Sequence, residues 1–332
     1  MLESQSEMNR VIALVAAVLV GCSVSLAAQW PKTQDPSVPR DAEGRVRYDA
    51  PPPRTPDGKI DFSGVWMRAN SGAPGRGRGR GGAGAPGAAG GRGAGNPGGA
   101  PAPGEGIGAG GRGGVSLEPS TTPFPFDPNG PPVATFFEAG GNMEGGLPYT
   151  AWAKGVRDAR LALNARDNPD AMCLPMGFLQ FHQQPQPRKI YQMAKEIIIE
   201  YEANYGLRHI YLDGRKLPPQ GEPQPFWYGY SVGRWEGDTL VVETNNLRGA
   251  EDGPYDGWLD VNGSPYSQQA KFTERFRRPS YGQLQIDTTV DDPKAYTKPW
   301  AVRVDQRILP DEEMIEFICN ENQQFRRKVK ID

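Results

Sequence analysis

The sequence predicts a mainly β fold: an antiparallel up-and-down barrel of about 8–10 strands with one helix, or alternatively a β-sandwich. Three observations carry this. After Pro187 the chain runs in short β-prone segments separated by turn chemistry such as Glu236-Gly237-Asp238, the stretch from Pro279 to Gly282, and the stretch from Pro310 to Glu312. The segments alternate: Leu284, Ile286, Thr288 and Val290 oppose Gln283, Gln285, Asp287 and Thr289, and Trp300, Val302 and Val304 oppose Arg303 and Asp305. A meander of successive hairpins leaves two open edges, and closure into a barrel removes both.

The elements follow in chain order. Met8-Asn9-Arg10 precedes the apolar run from Val11 to Val20, too short for a stable span and suited to a secretory signal peptide over residues 1–28. Met8 is a candidate start, because Glu3 and Glu7 are unusual in a leader. Cleavage after Ser25-Leu26-Ala27 releases a soluble periplasmic or secreted protein. The alternative, Leu19-Val20-Gly21-Cys22, is lipobox-like and would anchor an outer-membrane lipoprotein through Cys22. Residues 29–56 read as a Pro-rich tether, and 57–332 as one β domain that opens on the strand Asp61 to Arg68. A disordered Gly/Arg/Pro-rich insertion at 71–147 interrupts it. Within 71–114 lie 21 Gly, 9 Ala, 5 Pro and 5 Arg, a composition unable to form a core.

Residues 150–166 read as the one helix, with Trp152, Val156, Ala159 and Leu163 on its apolar face and Lys154, Arg157, Asp158 and Arg160 opposite. Thr150 caps it and Asn168-Pro169 ends it. Nine strand runs follow: 188–194, 196–203, 207–212, 227–235, 239–247, 268–278, 283–291, 300–308 and 314–319.

Charge excludes one class of partner. The chain carries −2 overall. The cationic Gly-Arg segment is therefore set in an acidic remainder, and an exported chain does not meet nucleic acid. With Cys22 removed or lipidated, Cys173 and Cys319 remain, and one disulfide is the simplest account in an oxidising compartment; two buried thiols are the alternative. Two Cys and two His without ligand spacing argue against zinc, and neither a metal nor a cofactor is expected. The acidic loop of Glu251, Asp252, Asp256 and Asp260 offers oxygens for Ca²⁺, but its spacing is not that of an EF-hand. It reads as a solvated loop.

Gly64-Val65-Trp66 resembles the Gly-x-Trp element that opens lipocalin and related calycin barrels, which bind small apolar ligands; the resemblance implies that Trp66 closes one end by packing. Ser231-Val-Gly-Arg-Trp-Glu-Gly-Asp-Thr-Leu-Val-Val242, Arg208 to Arg215 and Asp291-Asp-Pro-Lys-Ala-Tyr-Thr-Lys-Pro-Trp300 resemble segments of a large family of exported soil-bacterial proteins. That resemblance implies export and supplies no mechanism. Members often carry His where this chain has Tyr230, and His-Ser-Asp where it has Tyr266-Ser267-Gln268, so an imidazole at either place is missing here.

Counting by two along the strand from Ala270 places Glu274 between Phe272 and Phe276 on an inward face. A desolvated carboxylate there would have a raised pKa and could carry protons; an inward Arg or Tyr hydroxyl paired with it is the structural alternative. His209 shares a face with Leu207 and Tyr211, so Glu274, His209 and Tyr201 form the candidate catalytic set. His182 reads as a loop residue. Trp227, Tyr228, Tyr230, Tyr255 and Trp258, with Phe272 and Phe276, form the candidate ligand-binding set at a barrel mouth.

These features define an exported barrel that binds a small apolar or aromatic molecule. The alternatives are a barrel enzyme doing acid/base hydration, dehydration or isomerisation, and a cell-envelope module touching polysaccharide or lipid. Ser-His-Asp order and a phosphate-binding loop are not recognisable in the chain.

Overall fold

The computed structural model describes residues 34–69, 124, 127–222 and 224–319. The expected signal peptide, Cys22 and the Gly/Arg-rich stretch 71–114 lie outside the described residues.

Nine strands close into a barrel: β1 (Gly64–Arg68), β2 (Arg188–Gln192), β3 (Glu196–Tyr201), β4 (Gly206–Tyr211), β5 (Tyr230–Glu236), β6 (Thr239–Asn245), β7 (Lys271–Ser280), β8 (Gln283–Asp291) and β9 (Trp300–Ile308). Closure comes from β1 pairing antiparallel with both β2 and β9. Every neighbouring pair is antiparallel except β4 and β5, which meet in parallel at Ile210–Ser231 and Tyr211–Val232. The simple up-and-down meander is thus broken once. The connection 212–229 is long enough to cross the barrel end, which a parallel joint requires and a hairpin cannot provide.

The sequence's last strand, 314–319, does not form; residues 312–318 have no regular structure, and Ile315 and Ile318 are exposed. Once β1 seals β9, a tenth strand has no edge to join. Cys319 lies beyond this segment at disulfide-bonding distance from Cys173, with Cα atoms 5.6 Å apart and a sequence separation of 146. A link closing so long a loop contributes roughly 4–5 kcal/mol in the chain-entropy picture.

Alternation sends one set of side chains inward. Register aligns Val242, Glu274, Thr288 and Val302 across β6 to β9, with Thr244, Phe272, Val290 and Trp300 on one side and Leu240, Phe276, Ile286 and Val304 on the other. The outward partners on β7, such as Lys271, Thr273 and Arg275, are exposed or half-buried.

Each end of this interior is closed by the chain itself. At one end Phe62 stacks on Trp235 with centroids 5.7 Å apart and meets Phe276 edge-on at 6.1 Å. Trp66 is fully buried there, its indole N–H donates to the Phe62 carbonyl, and the Arg278 guanidinium lies 4.8 Å from its ring. The stretch read as a tether docks on this end: Tyr281 and Gly282 donate to the carbonyls of Ala50 and Tyr48, and Arg54 forks onto Asp238. At the other end residues 176–184 enter the barrel, including the short helix α2 (Gln180–Gln183), every residue of which is buried.

The longer helix, α1 (Ala151–Ala162), has Thr150 as its cap, accepting from Ala153 N–H. It stops at Ala162, ahead of left-handed Asn164 and Ala165. Its packed face is also rotated from the expected one: Leu163 is 44 % exposed, whereas Arg160 is buried. Arg160 donates to the carbonyls of Asp256, Gly257 and Gly263 and lies over Trp258, so a cation that caps a loop displaces leucine from the interface. Residues 127–147, assigned above to the disordered insertion, lie on the domain. Ala134, Ala139 and Leu147 are buried, and Val133 pairs with Arg303 beside β9.

Gly177, at the entrance of the plugging segment, has no room for a side chain, because a Cβ there would lie 1.8 Å from the Trp258 carbonyl oxygen. Gly177→Ala therefore has to displace backbone, and a loss of about 1–3 kcal/mol in urea unfolding is expected.

Candidate functional site

Glu274 is fully buried at the middle of the barrel, as its phase on β7 predicted. Its environment is the structural alternative, an inward arginine paired with it, and not that of a free proton carrier. Arg208, inward on β4, grips both carboxylate oxygens: Nη1 donates to Oε1 at 3.1 Å and Nη2 to Oε2. The His182 ring reaches the same carboxylate, with Nε2 2.8 Å from Oε1. Arg208 also donates to Ser231 Oγ and Thr244 Oγ1, which bond each other at 2.8 Å. Its guanidinium lies 4.8 Å from the Phe178 ring and 5.6 Å from that of Phe181.

Burial pushes the Glu274 carboxyl up, but Arg208 and His182 outweigh it and bring its pKa to about 2. The raised pKa expected from desolvation is therefore overturned by a bidentate cation, the inward arginine that the alternative reading required. Burial also pushes the His182 imidazole down to about 4, against the pull of Glu274, so the ring is neutral at pH 7. An ionised carboxylate only accepts, so the proton sits on Nε2 and leaves Nδ1 as a bare acceptor. That nitrogen has no partner.

Tyr201 faces inward beside this group, its ring centroid 6.3 Å from His182 and 5.7 Å from Tyr228. Burial holds its phenol well above the ordinary value. The hydroxyl feels the Arg208 charge but makes no well-directed hydrogen bond. Phe272 stacks on Phe178 at 4.0 Å, and Phe276 meets His182 edge-on at 6.1 Å. Tyr228 closes over Gly206, where a Cβ would lie 1.8 Å from its hydroxyl.

Other predicted residues lie elsewhere. His209 points outward: its ring is 2.7 Å from Glu196 and its side chain is 45 % exposed. Inward on β4 are Gly206, Arg208 and Ile210, and the outward set of Leu207, His209 and Tyr211 is the one the sequence reading turned in. A one-residue phase error exchanges the two faces. Tyr230 is also outside, 5.3 Å from Tyr211 and bonded to Arg215. Trp227 lies under Arg248. Trp258 is buried beneath Arg160 as scaffold, and Tyr255 is half-buried in the same loop.

The acidic loop is partnered internally, not solvated throughout. Asp256 binds Arg248, Glu251 binds Lys294, and buried Asp260 accepts from Ala139 and Ser264. Among the described residues no cluster of three His, Cys, Asp or Glu is arranged to hold a metal.

His182 and Arg208 were the residues sequence reasoning missed. His182 sits in a Gln/Pro-rich stretch without strand period, so no alternation signals its burial. Arg208 had a signal: it shares phase with Gly206 and Ile210, and an inward Glu274 requires a cation.

Comparison with protein-family models, with curated proteins and with solved structures finds no match.

Both titrating groups make the fold acid-labile. His182 holds about 4 in the fold against an ordinary 6.5, so the unfolded chain takes up the proton first and stability falls as pH drops from 6.5 toward 4. Glu274, at about 2 against 4.5, extends the loss from 4.5 toward 2. Glu274→Gln leaves Arg208 buried without a counter-charge and is expected to cost about 3–5 kcal/mol in urea unfolding at pH 7. The same variant should show a shallower decline in stability below pH 4.5. His209→Ala, which removes only an exposed pair, should change stability by under ~1 kcal/mol.

Proposed function

We propose that the protein is an exported binding protein that holds a small molecule with an apolar or aromatic body inside its barrel. The observation that carries this reading is a set of polar atoms facing the interior with no partner: His182 Nδ1, Tyr201 Oη, Thr288 Oγ1, Trp300 Nε1 and the amides of Gln183 and Gln306. All six side chains are buried, and the His182 and Tyr201 rings meet that of Phe181. Buried polar groups are ordinarily satisfied, and an unmade bond costs about 1–3 kcal/mol each. Unmade bonds of this kind inside an apolar interior are the chemistry of a site whose bonds are completed by a guest. The plugging segment 176–184 then serves as the wall that the guest meets on one side.

The acid/base alternative is weaker, because its proton carrier is locked as a carboxylate by Arg208 and its second candidate, His209, is on the outside. The envelope-module reading retains one specific support. An outward aromatic row runs from Phe226 through Tyr230 to Tyr211, with Phe226 44 % exposed and Arg215 3.8 Å from the Tyr211 ring, a surface suited to stacking on sugar rings.

The binding reading predicts that native mass spectrometry of protein purified from its host detects a retained small molecule, released on denaturation. Protein that carries none, and that binds none in an apolar-ligand screen, counts against it. If the outward row binds polysaccharide instead, Tyr211→Ala with Tyr230→Ala abolishes retention on envelope polysaccharide and leaves the stability of the barrel unchanged.

A further inference from the structure

The barrel interior has an imbalance of charge that the Glu274–Arg208 pair does not remove. Arg188 on β2 is inward and buried, opposite Trp66 on one side and Tyr201 on the other. Its Nη1 donates to the His182 carbonyl at 2.7 Å and its Nη2 to those of Gln184 and Gln186. These bonds fasten the end of the plug, but carbonyls carry no charge, and Nε has no partner. Arg68 on β1 lies two positions beyond Trp66, opposite Gln306 of β9. It is half-buried, donates to the Ala134 carbonyl and lies 5.8 Å from the Phe136 ring. Among the described residues no carboxylate pairs with either guanidinium.

The unpartnered donors converge on the same part of the barrel. Tyr201 opposes Arg188, Gln306 opposes Arg68, and Gln183 adjoins the residue whose carbonyl Arg188 holds. Gln183 and Gln306 are each fully buried with both amide atoms unpaired. Burial pushes both guanidiniums down, Arg188 to about 10, where the nearby Arg68 charge lowers it further and Tyr201 only partly offsets the fall. A buried and a half-buried cation without an anion among the described residues are costly, whereas a guest anion would be met by charge and by directed N–H and O–H donors together.

We propose that the molecule held in the barrel is an organic carboxylate, an acid with an apolar or aromatic body. Its head group lies between Arg188 and Arg68, and Gln306, Gln183 and Tyr201 supply donors. The proposal rests on the binding reading above and adds the charge of the ligand. A neutral apolar guest would leave both guanidiniums uncompensated, and a cation would be repelled.

The test uses matched probes on the purified protein: octanoate against octanamide, and benzoate against benzamide, at pH 7 in carboxylate-free buffer. Thermal unfolding and native mass spectrometry are the readouts. At least one acid should raise the unfolding midpoint by several degrees at millimolar concentration, with its amide giving less than a tenth of the affinity. Gln306→Leu replaces an unpartnered amide by an apolar side chain of similar volume, so the unliganded midpoint should hold or rise while acid affinity falls at least tenfold. Arg188→Met tests the charge directly, and a protein that still folds should lose the preference for acid over amide. Amides binding as tightly as acids, or Gln306→Leu binding acid as well as the wild type, would overturn the carboxylate assignment and leave the binding reading standing. If none of the four probes binds and host-purified protein carries no guest, both fail.

Discussion

A lone carboxylate inside a closed β-barrel would cost several kcal/mol in lost hydration, and so would a lone guanidinium. Glu274 and Arg208 are tolerable only together, on β7 and β4, with Ser231 and Thr244 taking the remaining Arg208 donors. The pair sits where strands from the two halves of the sheet face each other across the interior, so the register of β3–β4 and of β6–β8 must bring both side chains to one level. His182 extends the arrangement to a third element. By donating to the same carboxylate, it fixes the plugging segment inside the barrel, and Arg188 holds that segment's carbonyls from the other side. The fold's least regular stretch is thereby bound to its most regular part through one acidic group.

This explains why a carboxylate that looks catalytic in sequence is built as an anchor. A proton carrier needs a pKa near the working pH. Glu274 has both oxygens engaged by donors that stabilise its charged form, and its pKa is about 2. The chemistry available in the interior has a different source: the donors and acceptors the anchor does not use. They lie on β3, β8 and β9 and on the plug, where the His182 and Tyr201 rings meet that of Phe181.

Much of the architecture was legible in the sequence. Period-two alternation located eight of the nine barrel strands after Pro187 to within a few residues, and Glu274 between Phe272 and Phe276 was placed inward correctly. Thr150 was read as a cap and Cys173 with Cys319 as a pair. What failed had physical causes. On β4 both faces carry large side chains, since Leu207 is 55 % exposed while Arg208 is buried, so hydrophobicity chose the wrong phase and took His209 with it. The plug has no period because it is neither strand nor long helix, and His182 was invisible for that reason. The parallel joint between β4 and β5 depends on a crossover whose path no local pattern encodes.

The central claim is that the Glu274 carboxylate holds the plug in the barrel. Hydrogen–deuterium exchange at pH 7, comparing the wild type with Glu274→Gln under conditions where both are folded, tests it most directly. The account predicts that amides in 177–184 are protected in the wild type and exchange much faster in the variant, while β8 and β9 stay protected in both. Equal protection of 177–184 in the two proteins would contradict it.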